Sequence, residues 1–560
     1  MYLVRRYHQQ LDRFICSGSR KSYLLVLVLL VVALGALGAL IFKVGAPAMN
    51  GCPWDTPILL GGAWRIVCGQ APHRDFYNWH GDLPYYMTAL GIKLNRPCVS
   101  AIDYGNALLM GALALPFLAV LRRRTSALAA FLYSIFIALL VITPRPLGDP
   151  YDYTDHAMMY NRYGEAFIAL LGLVLFLPPR EGFGKGWADW AEAVLAGLVV
   201  VALLGSKLNY FVLGILFLAV ALVLRRVGPG WAAVCVCSAA AFLGLALALA
   251  QIPFPALAAD YRIMSGCHSV SNRLPRLVTG AMKSIWALPL LLLPIWEHFL
   301  GNAPGGGHRA WPWRQAGVIV VLYGGALLLF SSNTQMGEMP LLALAAVYGV
   351  ELILRQGDAL AESPAFAATR HAGAFLVLLL FLLPSMITDL KTFRFITDRH
   401  LKKDWDTPEA LQSTPMNDFR FVRYGTRWLE MRAYMAELTE GIQLLRRHAS
   451  PEMRLDALMA ADPFELALGM RPALGGTMCL SAMSVTERSH PTLARMLGNA
   501  THILVMRHSA SADEVPMHGI YGAEWDALPL QLVEETENFA LFKLPEAGVG
   551  QLPKANAPAR

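Results

Sequence analysis

Between residues 52 and 86 the chain reads CPWDTPILLGGAWRIVCGQAPHRDFYNWHGDLPYY. Among its ionisable side chains, Asp55, His73, Arg74, Asp75, His80 and Asp82 gather there, directly after an apolar run of membrane-spanning length. Charges held where water gives way to lipid cost free energy, so their concentration marks a place where charge is used. Asp55 sits where the apolar run passes into a helix-like segment. Two roles are open to it: it caps that helix, or, with its pKa raised by partial desolvation, it serves as a general base at the membrane boundary. His73-Arg74-Asp75 and His80-Gly81-Asp82 are two His-x-Asp units seven residues apart. Such N and O ligands can bind a divalent cation, Mg or Mn. In the alternative, Asp82 caps a helix beginning near Pro84, and Arg74 with Asp75 fixes the loop or contacts substrate.

A second polar stretch, RPLGDPYDYTDHAMMYNRYGE, carries Asp149, Asp152, Asp155 and His156. No metal motif is present; the combination that would hold an ion is Asp55 with Asp152 and Asp155, the alternative being a solvated loop turning at Asp149-Pro150. Arg162 lies among Tyr160, Asn161 and Tyr163 at the mouth of an apolar run, where a guanidinium can grip a phosphate and an aromatic ring can flank a sugar. Lys207 stands between two apolar runs with almost no loop. It either serves a lipid phosphate or snorkels to the interface. Arg262, Arg273, Arg276 and Lys283 could serve the same phosphate or the lipid headgroups, and Glu338 reads as a cap before the next apolar run.

The elements that must position these residues are membrane helices. Of the 560 residues, 56% are apolar and 16% charged, with a mean hydropathy of +0.44, which excludes a soluble multidomain array. The first run, 22–44, is too long for a signal-peptide core and follows a basic stretch, so it reads as a retained anchor. Further spans are expected near 104–121, 127–143, 164–177, 191–205, 210–224, 231–252, 285–299, 316–331, 340–354 and 372–387, about eleven in all. Loops containing Arg122 to Arg124, Arg180, Lys185, Arg225, Arg226, Arg309, Arg314, Arg355 and Arg370, with the N-terminus, hold about sixteen basic residues in roughly eighty. The loops 46–103, 144–163, 206–209, 253–284 and 332–339 hold about eleven in roughly one hundred and twenty-five. The denser set belongs in the cytoplasm, which puts the other loops and the C-terminal part outside. The net charge of +7 thus reflects topology and does not call for nucleic acid.

With no C-x-x-C pair among the eight cysteines, no zinc ribbon is indicated; on the outer face Cys52 and Cys68 could form a disulfide. Residues 1–387 form the membrane domain. Residues 388–545 change to soluble composition, with a helix at 424–448 and strands at 453–460, 501–507 and within 530–544, the pattern of a small α/β domain. Residues 546–560 read as a disordered tail. In the first outer loop, Leu59, Ala63, Ile66 and Val67 share a helical face, and Trp54 and Trp64 suit anchors for a helix lying in the interface.

The order of features, a first span, an Asp just outside it, a Gly-containing helix, then RDFY and a Gly-x-Leu-Pro turn, resembles membrane glycosyltransferases of the GT-C superfamily, such as the protein mannosyltransferases and lipid A aminoarabinose transferase. The matching residues are Asp55, Gly61, Gly62, Gly69, Arg74, Asp75, Phe76, Tyr77, Gly81, Leu83 and Pro84. The resemblance implies a multi-span α-helical GT-C-like protein of a bacterial inner membrane, with its N-terminus cytoplasmic and a C-terminal periplasmic α/β domain. It further implies a polyprenyl-phosphate sugar donor, a glycan, lipid or protein acceptor, and Asp55 as the acidic residue acting on the acceptor. Many members have a second acid directly after the first, where this chain has Thr56. Asp152 and Asp155 correspond to the second outer loop that oligosaccharyltransferases of this plan also use. Arg74, Asp75, His80, Asp152, Asp155, Arg162, Lys207 and Arg273 are the expected substrate-binding residues. Rival readings are a polymerase or ligase of undecaprenyl-linked glycans and a lipid-linked sugar transporter or flippase.

Overall fold

The computed structural model describes residues 20–180, 186–267, 273–294, 313–333, 337–357, 364–423, 425, 427–508 and 517–545. The basic stretch before residue 20, Lys185, Arg309 and the expected tail 546–560 lie outside the described residues, as does most of the far half of the expected span 285–299. The helices, in chain order, are α1 (Arg20–Val44), α2 (Asp55–Val67), α3 (Leu83–Leu94), α4 (Ala101–Arg124), α5 (Ala127–Ile142), α6 (Met159–Phe176), α7 (Trp187–Ser206), α8 (Leu208–Val223), α9 (Pro229–Ala250), α10 (Phe254–Cys267), α11 (Arg273–Lys283), a 3-10 segment (Ile285–Leu291), α12 (Trp313–Ser332), α13 (Leu341–Gly357) and α14 (Pro364–Lys402).

Every apolar run contains a helix, but they differ in how they meet lipid. Among the described residues six helices are long and apolar enough to cross a membrane, within α1, α4, α7, α9, α12 and α14; α11 with the segment after it adds a seventh only if that pair, bent by 70°, is one span. The count of eleven independent spans is not reproduced. The physical reason lies in the interior of the bundle. α6 is buried along its length except at Tyr160 and packs on α4, α5, α7, α8 and α13. A helix apolar all round and enclosed by protein need not match the bilayer's thickness. α1 is the opposite case, with Leu24, Val31 and Val32 exposed as lipid contact requires.

α14 continues for 39 residues to Lys402, so the compositional change at Thr388 falls inside a helix and not at a linker. Beyond it come a two-stranded ladder of β1 (Trp405–Asp406) and β2 (Phe421–Val422), then α15 (Trp428–His448) and strands β3 (Leu455–Leu458), β4 (His502–Met506), β5 (Gln531–Glu535) and β6 (Phe539–Lys543). The sheet order is β3-β4-β6-β5, parallel between β3 and β4 and antiparallel elsewhere. Met431, Tyr434, Leu438, Ile442 and Leu445 make a buried stripe along α15, the spacing an amphipathic helix needs to pack on one face.

This module closes over the segment that follows α1. Arg65, fully buried, donates from Nη1 to the carbonyls of Ala473 (2.7 Å) and Gly475 (2.8 Å). The Tyr77 amide donates to Gly476 O at 3.0 Å, and the Gly475 amide to Asp75 O at 2.6 Å. α2 is therefore not an interfacial helix. Trp64 donates to Met470 O at 2.8 Å and Trp54 leans on Tyr434, ring centroids 5.6 Å apart, so both expected lipid anchors hold the C-terminal module instead. Nor do Cys52 and Cys68 pair, since both are free thiols. The 13-residue α2 between them is about 20 Å long, well beyond disulfide reach.

Candidate functional site

Asp55 opens α2 without capping it. Trp54 occupies the cap position and no side-chain cap bond is made. The Asp55 carboxylate instead meets the loop before α6, accepting the Met158 amide at 3.1 Å. Met158 itself sits at φ +55°, a left-handed conformation that a side chain adopts only at a cost and that concentrates at functional sites. Asp155 stitches the same two loops together: one oxygen accepts the Cys52 amide (2.7 Å), the other the Ala157 amide (2.9 Å). Gly51 allows this approach, since a Cβ there would stand 1.9 Å from an Asp155 oxygen. Burial pushes the Asp155 carboxyl well above its ordinary range despite both amides.

Asp55 lines a narrow pocket with His80, Tyr85, His156, Met158 and Tyr160, over an apolar floor of Ile58, Leu59 and Pro84; its volume is about 10 Å³. Gly81 brings the His80 segment against the end of α7, where an added Cβ would meet Gly205 O at 2.1 Å. Lys207 follows directly, its ammonium 4.8 Å from the centre of the Tyr160 ring and donating to Asn333 Oδ1 at 2.8 Å. His80 packs on Trp79 (3.5 Å between ring centroids) and Tyr160 (4.9 Å), and its Nδ1 is buried with no partner among the described residues. Burial first, and then the Lys207 charge, hold His80 well below the usual imidazole range. It is neutral at pH 7. His156 links the fully buried Thr56 hydroxyl (3.2 Å) to the Asp103 carboxylate (3.2 Å), so Thr56, where a second acid was looked for, starts a buried polar chain beside Asp55.

The other expected residues separate from this pocket. Arg74 pairs with Asp75 at 2.5 Å and reaches Gln251 at 3.1 Å, while Asp75 accepts the Ala71 amide at 2.8 Å: together they fasten the loop to the end of α9. The two His-x-Asp units do not converge on an ion. His73 is fully buried between Asp82 (3.0 Å) and Asp260 (2.9 Å), and Asp82, though at the cap position of α3, makes no cap bond. Burial opposes the charged form of His73, but the two carboxylates outweigh it and raise its pKa from 6.5 to about 9.

Arg162 does not face the pocket. It donates to Leu140 O (2.9 Å), to Arg145 O and to Asp389 (3.4 Å), because a guanidinium near the start of an enclosed helix must satisfy its donors on protein. Arg145 bridges Asp389 and Glu338, each at 2.9 Å, and Glu338 also accepts the Gly148 amide, so it holds this cluster and does not cap α13. Arg273 is exposed at the start of α11, outside the pocket lining. Among the described residues no three His, Cys, Asp or Glu side chains are grouped to hold a metal. The combination of Asp55, Asp152 and Asp155 is not assembled, since both Asp155 oxygens are committed to amides.

Sequence reasoning missed Asp103, Asn333, Asp260 and Asp389. Asp103 and Asp389 each interrupt or border an apolar run, which is itself a signal of use; Asp260 and Asn333 carry no local signal.

Fold and site together define a helical protein with several apolar helices long enough to cross a membrane, in which Asp55 and His80, from the segment after α1, line a small pocket with residues of the loop before α6. No protein-family model matches the chain, and no curated protein sequence matches it. Among solved structures it is similar to ArnT from Cupriavidus metallidurans in the apo state, at 13% identity and a TM-score of 0.45, covering 92% of this chain and 97% of that one. For the same protein bound to undecaprenyl phosphate the values are 14%, 0.44, 91% and 97%. It is also similar to the arabinofuranosyltransferase AftD from Mycobacteria, at 14% identity and a TM-score of 0.40, covering 92% of this chain and 40% of that one.

Proposed function

We propose that the protein transfers a sugar from a polyprenyl-phosphate donor to an acceptor hydroxyl at the periplasmic face of the bacterial inner membrane. The observation that supports this most is the pocket itself. Asp55, from the start of α2, lines it together with Tyr160, and the Lys207 ammonium, from the junction of α7 and α8, stands 4.8 Å from the centre of that Tyr160 ring. The acceptor oxygen attacks the anomeric carbon as its proton passes to Asp55. The bond from that carbon to the phosphate oxygen breaks on the opposite face, and the electron pair leaves with the phosphate. Lys207 neutralises the charge that develops there. A single in-line displacement inverts the anomeric centre. Neutral His80 and the Tyr160 and Tyr85 rings offer a donor and flat faces to a sugar. Arg74 and Asp75 hold the loop, and neither is assigned a contact with substrate.

Asp55→Asn tests the base. An amide oxygen still accepts the Met158 N–H, so folding is preserved, and turnover falls by about 100-fold or more, the usual worth of a positioned general base. The purified variant would be assayed with a polyprenyl-phosphate sugar alongside its melting temperature. Near-normal transfer removes Asp55 from its role.

A further inference from the structure

At the end of the bundle away from Asp55 lies a second, larger cavity. α7 sets the separation: Ser206 and Lys207 are at the pocket, Trp187 is at its other end, and 20 residues span about 30 Å. The cavity has a volume of about 840 Å³, is partly open to the surroundings, and its walls include Phe176, Pro178, Trp190, Trp231, Arg225 and Arg226.

Its charges are unevenly settled. The acids lining it, Asp189 and Glu192, are both held by Arg123 at 2.7 Å, and Glu192 also by Arg124. Arg225 is exposed, with no side-chain partner among the described residues. Arg226 donates from Nη2 to Tyr348 (3.0 Å) and Gln315, yet its Nε is buried with no hydrogen-bond partner. A buried charged donor left unmet is costly and calls for an acceptor.

The backbone adds an independent sign. Arg225 follows the end of α8 at φ +52°, and the Arg226 amide closes the turn on Ala221 O at 2.8 Å. This is the helix-ending position that glycine fills at little cost and other residues fill with strain. A guanidinium kept there against that strain points to a use for it. Around the mouth, Trp187 (83% exposed), Trp190 (51%) and Val223 (81%) present apolar surface, which suits a membrane interface and not a bath of free ions.

We propose that this cavity binds an anionic phospholipid, with Arg225 and Arg226 on the phosphate and the wall of Trp190 and Phe176 against the glycerol and first methylenes. Arginine forks match phosphate oxygens bidentately, and an anionic oxygen here would satisfy the orphan Nε. Its volume lies in the upper part of the range of ordinary ligand pockets, about 300–1,000 Å³, which is room for a phosphate with its glycerol and first methylenes.

Arg225→Gly separates this role from a structural one, because glycine relieves the backbone while removing the charge. The full chain would be reconstituted in phosphatidylcholine alone and in phosphatidylcholine mixed with phosphatidylglycerol. Retained phosphatidylglycerol would be counted by native mass spectrometry and the melting temperature recorded. The wild type retains phosphatidylglycerol and melts higher in its presence. Arg225→Gly melts no lower than wild type in phosphatidylcholine but retains about fivefold less phosphatidylglycerol, from the roughly 1 kcal/mol that one basic residue contributes at an anionic surface. Arg225→Lys falls between them. Unchanged retention in Arg225→Gly overturns the proposal. So does protection of the wild type by inorganic phosphate as strong as that by phosphatidylglycerol, which would mark a soluble-anion site.

Discussion

Two groups of charges stand at the same end of the helical bundle and have opposite characters. Around Asp55, the ammonium of Lys207 rests on an amide oxygen and an aromatic ring, and a His80 nitrogen has no partner. Around Asp389, Arg145 and Arg162 meet two carboxylates and several carbonyls at close range. The residue types are similar. The difference lies in how far each charge is already answered by protein: the first group keeps electrostatic capacity for a ligand, while the second spends its capacity on joining α5, α6, α14 and the loop before α13. A basic residue at the mouth of a span is thus a substrate contact only where the fold leaves it something to do.

That contrast can be broken by mutation. Arg162→Ala should carry the largest effect, on stability: removing one partner of a buried charged cluster costs about 3–5 kcal/mol. It is read as a lowered melting temperature with transfer per folded molecule retained. Loss of transfer without loss of stability would move Arg162 into the site.

The pH dependence of stability comes next. His73 has a folded pKa near 9 against 6.5 when unconstrained, so its clasp with Asp82 and Asp260 contributes fully below about pH 6.5. The contribution is lost as the pH rises through 9, a change on the order of 3 kcal/mol. The melting temperature should fall across that window, and His73→Asn should flatten the fall. A wild-type profile already flat from 6.5 to 9 would show that the clasp is not charged.

Lys207→Met should be the mildest. Transfer drops by about 10- to 100-fold, as expected when one charge-assisted contact of about 1.5–3 kcal/mol is lost, while the melting temperature holds because Asn333 is also bonded by Asn209. Unaltered kinetics with the lipid-linked donor would reduce Lys207 to an interfacial lysine.

How much of this was legible beforehand varies with the range of the interaction. The strands at 455–458, 502–506, 531–535 and 539–543 and the helix of the C-terminal module lie where alternation and periodicity place them, since those patterns are local. The placement of Asp55 beside a second outer loop was readable as an expectation. Its Met158 contact was not, because it joins residues 103 positions apart. The mistaken readings share one cause. Trp54 and Trp64 looked like lipid anchors, Cys52 and Cys68 like a disulfide, and Arg162 like a phosphate ligand, because each was judged by its neighbours in sequence.

By itself, then, the sequence determined that this is a protein of many apolar helices of the kind that cross membranes, with polar residues concentrated after the first of them and a mixed helix and strand module at the C-terminal end; burial of apolar side chains and the period of each element suffice for that. Only the tertiary structure decided which helices are enclosed by protein and which stay exposed, that the C-terminal module covers α2, and which charges are settled on protein partners. Those outcomes depend on desolvation and hydrogen-bond partners supplied by segments hundreds of residues apart, and no local pattern records them.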